Sequence, residues 1–274
     1  ALATSTQVSG ESQVPVDVVF VIDNSNSMDS AVEEGSWWGP DPDSRLEATV
    51  DAVNASIAQI MESNPESRVA VVLYGMEAEV LLPLGHYEPM QNGDYISCDY
   101  RSNNTFTASG NHRVSMDSGK RGTNTHLGVD AGMDILKNAT NIGEGSMKHI
   151  PSLILLSDGA NTASGSGNWW DPSGIDGSGS NTANSYALKV AMNAQYNKQL
   201  VNQHYGVTDA NSDYACKVYT IGMGIEQLYQ GRYGNNTDYY RAQLALDPGE
   251  HITDNNNVAN TIEDAWNQYN RGYN

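Results

Sequence analysis

Apolar residues in this chain gather in short unbroken runs. Val16 to Ile22 (VDVVFVI), Val69 to Tyr74 (VAVVLY), Leu153 to Leu156 within SLILLS, and Val218 to Met223 (VYTIGM) are the strongest. Continuous runs of about 4–8 apolar, β-branched residues mark parallel strands covered on both faces. Val80 to Leu84 follows the second run after a short Gly-containing link. That link cannot hold a crossover, so this strand is expected to return antiparallel.

Between the runs the period becomes helical. Ser44 and Glu47 stand at capping-box spacing, and Leu46, Val50, Val53, Ile57 and Ile60 then recur at helical intervals. Pro65 ends that segment. Further helices are predicted over 127–139, 183–205, 239–246 and 258–269. Strands alternating with helices predict an α/β fold. Its expected form is a doubly wound, Rossmann-like, mostly parallel six-stranded sheet with one antiparallel edge strand and helices on both faces. A polar leader (1–15) precedes one domain over 16–272, with long insertions at about 86–121 and 160–182. The first contains turn residues and a few aromatics and suggests a small hairpin; the second is rich in Gly and Ser. Long irregular loops in a compact domain usually serve a function or are disordered.

Charge narrows the choice of partners. The chain has 14 basic and 33 acidic residues, a net charge of −19. Phosphate backbones need a Lys/Arg footprint, so nucleic acid is excluded as a partner. Anionic membrane surfaces are disfavoured for the same reason, whereas a divalent cation is attracted. No run of about 18 apolar residues exists, so no membrane insertion is expected. The polar start and end suggest a mature soluble piece of something larger. Cys98 and Cys216 form no CxxC motif; in a secreted chain they could make one disulfide, and otherwise they are two thiols.

Open α/β sheets bind ligands beyond the carboxyl ends of their strands. Asp23-Asn24-Ser25-Asn26-Ser27 follows the first strand, Asp158-Gly159 follows SLILLS, and Gly122-Thr123-Asn124-Thr125 precedes the second helix. All three clusters should meet at one sheet edge. Two carboxylates and three hydroxyls (Asp23, Ser25, Ser27, Thr123 and Asp158) are hard oxygen donors. They suit Mg²⁺, Mn²⁺ or Ca²⁺ rather than zinc or copper. Alternation along an extended loop lets Asp23, Ser25 and Ser27 reach one point. Any one of these residues alone is an ordinary cap or turn former; five at one edge need a shared reason.

DNSNS, GTNT and LLSDG, in that order after those elements, resemble the von Willebrand factor type A family. The resemblance spans about Val16 to Tyr269. It implies a metal-ion-dependent adhesion site holding one divalent cation through Asp23, Ser25, Ser27, Thr123 and Asp158, the last often through a water. It also implies an open coordination position that takes an Asp or Glu from a protein ligand. The wording VDVVFVIDNSNSM, GTNTHLGVDAGMDIL, LILLSDGANT and VYTIGMGI is similar to type A domains of Gram-positive bacterial surface proteins, pilus-tip adhesins among them. An extracellular, cell-surface setting follows, with a host or matrix protein, or a glycan, as partner. Asn26 stands where the family often has Gly; Asn tolerates positive φ, so the loop can still turn. Thr125 rivals Thr123, and is expected to cap the helix instead.

Candidates for the ligand face are Asn24, Asn26, Trp37, Trp38, Trp169 and Trp170. The tryptophan pairs could contact a protein or sugar, or simply pin long loops. The chain is read as a binding module and not an enzyme. A haloacid-dehalogenase-type, Mg-dependent phosphatase would want a second Asp where Ser25 stands, and neither a P-loop nor a GxSxG elbow is present. A structural or assembly domain of a surface appendage is the other alternative.

Overall fold

The structure is a computed structural model and describes residues 14–30, 44–100, 104–116, 122–158 and 182–222. In chain order its elements are β1 (Val16–Asp23), α1 (Arg45–Ser63), β2 (Arg68–Tyr74), β3 (Ala78–Gly85), β4 (Ile96–Asp99), β5 (Thr105–Ala108) and β6 (His112–Ser115). These are followed by α2 (Thr125–Lys137), β7 (Ile150–Ser157), α3 (Thr182–His204) and β8 (Lys217–Gly222). The main sheet has the order β3-β2-β1-β7-β8. β1 pairs parallel with β2 and β7, β7 pairs parallel with β8, and β3 returns antiparallel on β2. The described residues thus supply five strands of the main sheet where six were expected. The helices expected at 239–246 and 258–269, and nearly all of the 160–182 insertion, lie outside the described residues.

β1 is buried along both faces because each face is covered. Val18, Phe20 and Ile22 share a core with Leu46, Val50, Val53 and Ile57 of α1. Val19 and Val21 share a second core with Val129, Met133 and Leu136 of α2 and Val201 of α3. Each such side chain fully removed from water contributes about 1.5–3 kcal/mol. The capping box is formed: Ser44 Oγ accepts the Glu47 N–H at 3.1 Å, and Glu47 Oε2 accepts the Ser44 N–H at 3.4 Å. α2 lies close on the sheet because Gly128 and Gly132 lack side chains. A Cβ at Gly128 would stand 2.7 Å from Tyr74 Cδ1, and one at Gly132 2.7 Å from Leu153 Cδ1.

The first insertion is more than a hairpin. β4, β5 and β6 form a separate three-stranded antiparallel sheet. Ile96, Phe106 and Ala108 add it to the α1-side core. Asn54 of α1 fastens it by accepting the Tyr95 and Ile96 N–H groups at 2.9 Å each and donating to the Ile96 carbonyl at 2.8 Å.

Of the two readings left open for the cysteines, the structure has the one without a disulfide. Cys98 and Cys216 are not bonded to each other. Cys98 packs against the core on the α1 face and Cys216 belongs to the core on the α2 face. The main sheet stands between them.

At the amino end of β1 the sequence reading missed a buried polar network. Asp17 accepts from Arg68 Nε at 2.8 Å and Nη2 at 2.7 Å, and from Tyr205 Oη at 2.6 Å. His149 Nδ1 lies 2.8 Å from Asp17 Oδ1, the oxygen that also takes Arg68 Nε. The network joins the starts of β1, β2 and β7 to the end of α3, at the opposite end of β1 from Asp23.

Candidate metal-binding site

β1, β2 and β7 run parallel and in register, so their carboxyl ends come out side by side. Asp23 pairs with Tyr74, and Ile22 pairs with Leu156. Asp23, Ser157 and Asp158 therefore share one edge. The chain leaves β1 through Asn24 and Ser25 into a short 3-10 turn, Asn26–Asp29. Ser25 stays extended at φ −67°, and Asn26 is not among the residues with positive φ. A residue with a Cβ therefore fits where the family often has Gly, for a simpler reason than tolerance of positive φ: the position does not demand it.

Four of the five expected donors form a continuous chain of contacts. Asp23 Oδ1 accepts the Ser25 N–H at 2.8 Å. Ser25 Oγ lies 3.0 Å from Ser27 Oγ, and Ser27 Oγ donates to Asp158 Oδ1 at 2.7 Å. Asp23 and Asp158 are fully buried, Ser25 is nearly so, and Ser27 and Asn26 are exposed. The site is thus walled by protein and opens to solvent at the tip of the first loop. Thr123 is buried, and its loop is tied down where the Asn124 N–H donates to the Gly75 carbonyl at 2.9 Å, just beyond β2.

Burial, and then the nearby Asp158 charge, push the Asp23 carboxyl up to about 6 despite its hydrogen bonds from Ser157 and Ser25. Two carboxylates held this way out of water favour a cation between them. Among the described residues no group of three or more His, Cys, Asp or Glu side chains could hold a metal. A cation here would have to take hydroxyl oxygens beside the two carboxylates, a hard donor set that fits Mg²⁺, Mn²⁺ or Ca²⁺.

Two assignments change. Asn24, a ligand-face candidate, is fully buried, and its Oδ1 accepts from Asn104 Nδ2 at 2.9 Å. It turns inward because the loop leaves the sheet with the Asn24 N–H still donating to the Tyr74 carbonyl at 2.8 Å. Asn24 therefore links the loop after β1 to the inserted sheet instead of facing solvent. Thr125 does not cap α2. Asn124 holds the cap position, and Thr125, the first helical residue, donates to Tyr74 Oη at 3.4 Å. Trp37, Trp38, Trp169 and Trp170 lie outside the described residues.

Three further residues shape the site without having been picked out from the sequence. Ser157 Oγ donates to Asp23 Oδ2 at 2.6 Å. The Tyr74 phenol lies beneath, and burial followed by the Asp23 charge push it well above the usual tyrosine range. Arg45, at the start of α1, makes a buried ion pair with Asp158 Oδ2. Ser157 was within reach of a sequence reading, since it precedes Asp158. The Arg45 contact spans 113 positions and depends on how α1 packs.

Comparison with known proteins gives one family match. Residues 18–161 fit the model of the von Willebrand factor type A domain. No match was found among curated proteins. Among solved structures, the chain is similar to the VWA domain of SpRpn10, with 15% identity, TM-score 0.40, and 81% of this chain and 97% of that one covered. It is similar to the PilB minor pilin of Streptococcus sanguinis, with 14% identity, TM-score 0.46, and coverage of 88% and 63%. It is also similar to the vWF domain of the type V pili tip protein Mfa5 of Porphyromonas gingivalis, with 21% identity, TM-score 0.36, and coverage of 66% and 50%. The chain therefore spans less than two thirds of either pilus structure. At these scores the three likenesses add nothing to the family match.

Proposed function

This chain belongs to the von Willebrand factor type A family, and from that premise we propose that it is a metal-dependent adhesion module of a cell-surface protein. Asp23, Ser25, Ser27, Thr123 and Asp158 would hold one divalent cation, Mg²⁺, Mn²⁺ or Ca²⁺. When bound, that cation supplies an electrophilic position for a carboxylate oxygen of a partner protein. The observation that supports this most is the unbroken run of hydrogen bonds from Asp23 through Ser25 and the exposed Ser27 to Asp158.

The chain's own residues divide the work. Ser157 and the Ser25 N–H orient the Asp23 carboxylate. Burial strengthens the field on whatever lies between Asp23 and Asp158. Asn26 and Ser27 form the exposed lip that a partner meets. The partner is read as an extracellular protein with an exposed Asp or Glu. The site is read as holding rather than reacting, because Ser25 stands where phosphatase chemistry would want a second acid.

Isothermal titration with MgCl₂, MnCl₂ and CaCl₂ tests the cation directly. Saturable binding is expected, with loss in Asp23→Ala. Absence of binding by all three ions would refute the reading. Panels of matrix proteins and glycans should be captured in Mg²⁺ and released by EDTA; full binding in excess EDTA would count against it. Sedimentation with and without Mg²⁺ separates capture of a foreign partner from assembly with a second copy.

A further inference from the structure

Arg45 lies inside the site although it can donate nothing to a cation. Its side chain is 7% exposed, and it pairs with Asp158 Oδ2, which is fully buried. It is held from both sides. Its N–H donates to the Ser30 carbonyl at 2.9 Å at the end of the metal loop, and its carbonyl accepts Thr49 Oγ1 at 2.7 Å. It is also the first residue of a helix closed by a full capping box. The guanidinium thus projects from a rigid base. Its charge is permanent, since arginine does not deprotonate in proteins. A guanidinium is this deeply buried only beside an anion.

The ion pair divides the two oxygens of Asp158. Oδ2 is taken by Arg45, and Oδ1 faces Ser27. We propose that Arg45 is the built-in counter-cation of this site, holding Asp158 in place and cancelling one of its two carboxylate charges. It does two things. Without metal, it gives Asp158 a partner, so the empty site does not repel itself apart. With metal, it leaves the protein's own negative charge too small to satisfy a divalent ion. Cation and acidic partner then bind weakly apart and tightly together, a reciprocal coupling between two ligands. Arg45 would be a positioning and tuning residue that determines how far metal capture depends on the partner.

The inference rests on the metal reading above, and one experiment separates them. MnCl₂ and MgCl₂ are titrated calorimetrically, with no partner, into wild type, Arg45→Gln and Arg45→Lys. Removing a fixed positive charge next to a doubly charged ion should tighten binding at least about tenfold in R45Q. Metal-free R45Q should melt lower than wild type and recover more on saturation. R45K keeps the charge and should stay within about threefold of wild type. Equal or weaker binding by R45Q overturns the proposal, as does R45K behaving like R45Q. If metal-free R45Q does not fold, refolding in Mn²⁺ is the substitute measurement; rescue is expected, and failure of rescue overturns the proposal. Binding by R45Q but not by wild type would support Arg45 as counter-cation while removing metal capture from the native site. Binding by neither overturns both.

Discussion

Asp23 is subject to two opposing demands. Buried beside Asp158, its carboxyl is pushed up to about 6 from an ordinary 3.8. Between those values the folded chain keeps a proton that the unfolded chain has released. Stability from this group is therefore present at low pH and is lost as pH rises towards 6. A bound cation needs the carboxylate and reverses the trend. Melting without metal should rise on acidification from about pH 7 to 5 relative to Asp23→Asn, while the Mg²⁺-induced increase in melting temperature shrinks over that range. Ser157 acts one shell further out. Ser157→Ala leaves a buried carboxylate oxygen without its 2.6 Å donor. The expected loss is about 1–3 kcal/mol in urea titrations, with metal affinity down about tenfold or more.

At the level of elements, α2 owes its position to absent side chains. Gly128 lets the helix rest on Tyr74, whose ring Cγ and Cδ1 would lie 2.8 and 2.7 Å from an added Cβ. Those are the rigid root of the side chain rather than its tip. Gly128→Ala gains about 1 kcal/mol in helix propensity but overpacks by about 1–3 kcal/mol. A net loss of stability is expected on chemical denaturation. Metal affinity should fall with it, because Tyr74 lies under Asp23 and touches Thr125. The inserted sheet is tied in at a second point, where Asn104, at φ 46°, reaches Asn24 of the loop after β1. A change in the insertion can thus reach the loop through one hydrogen bond.

At the level of the whole molecule, the main sheet divides the core into two halves. Cys98 and Cys216 belong to opposite halves, so dithiothreitol should leave the melting temperature unchanged; a fall would require a bond the fold does not permit. The two ends of β1 also carry separate polar networks. The Asp17 network fastens the amino end and lies away from the site. Asp17→Ala strands the Arg68 guanidinium at low exposure. The expected cost is about 3–5 kcal/mol. The protein that remains folded should bind Mg²⁺ within about twofold of wild type, because Asp23, Ser25, Ser27 and Asp158 keep their own contacts.

The sequence by itself determined the parallel core, the return of β3 and the start of α1. These depend on local signals: unbroken β-branched runs, a link too short for a crossover, and Ser44 with Glu47 at capping distance. It also indicated that DNSNS and LLSDG would lie at one edge, since both follow parallel strands in the same sheet. The tertiary structure alone decided which side chains close the site. Nothing local shows that Asn24 turns inward to Asn104, that Tyr74 supports Asp23 from the next strand, or that Arg45 reaches Asp158. A lone arginine at a helix start reads as surface charge until packing removes the water around it. Once buried, it must have an anion, and the fold provides Asp158, one of the five donors predicted for the cation.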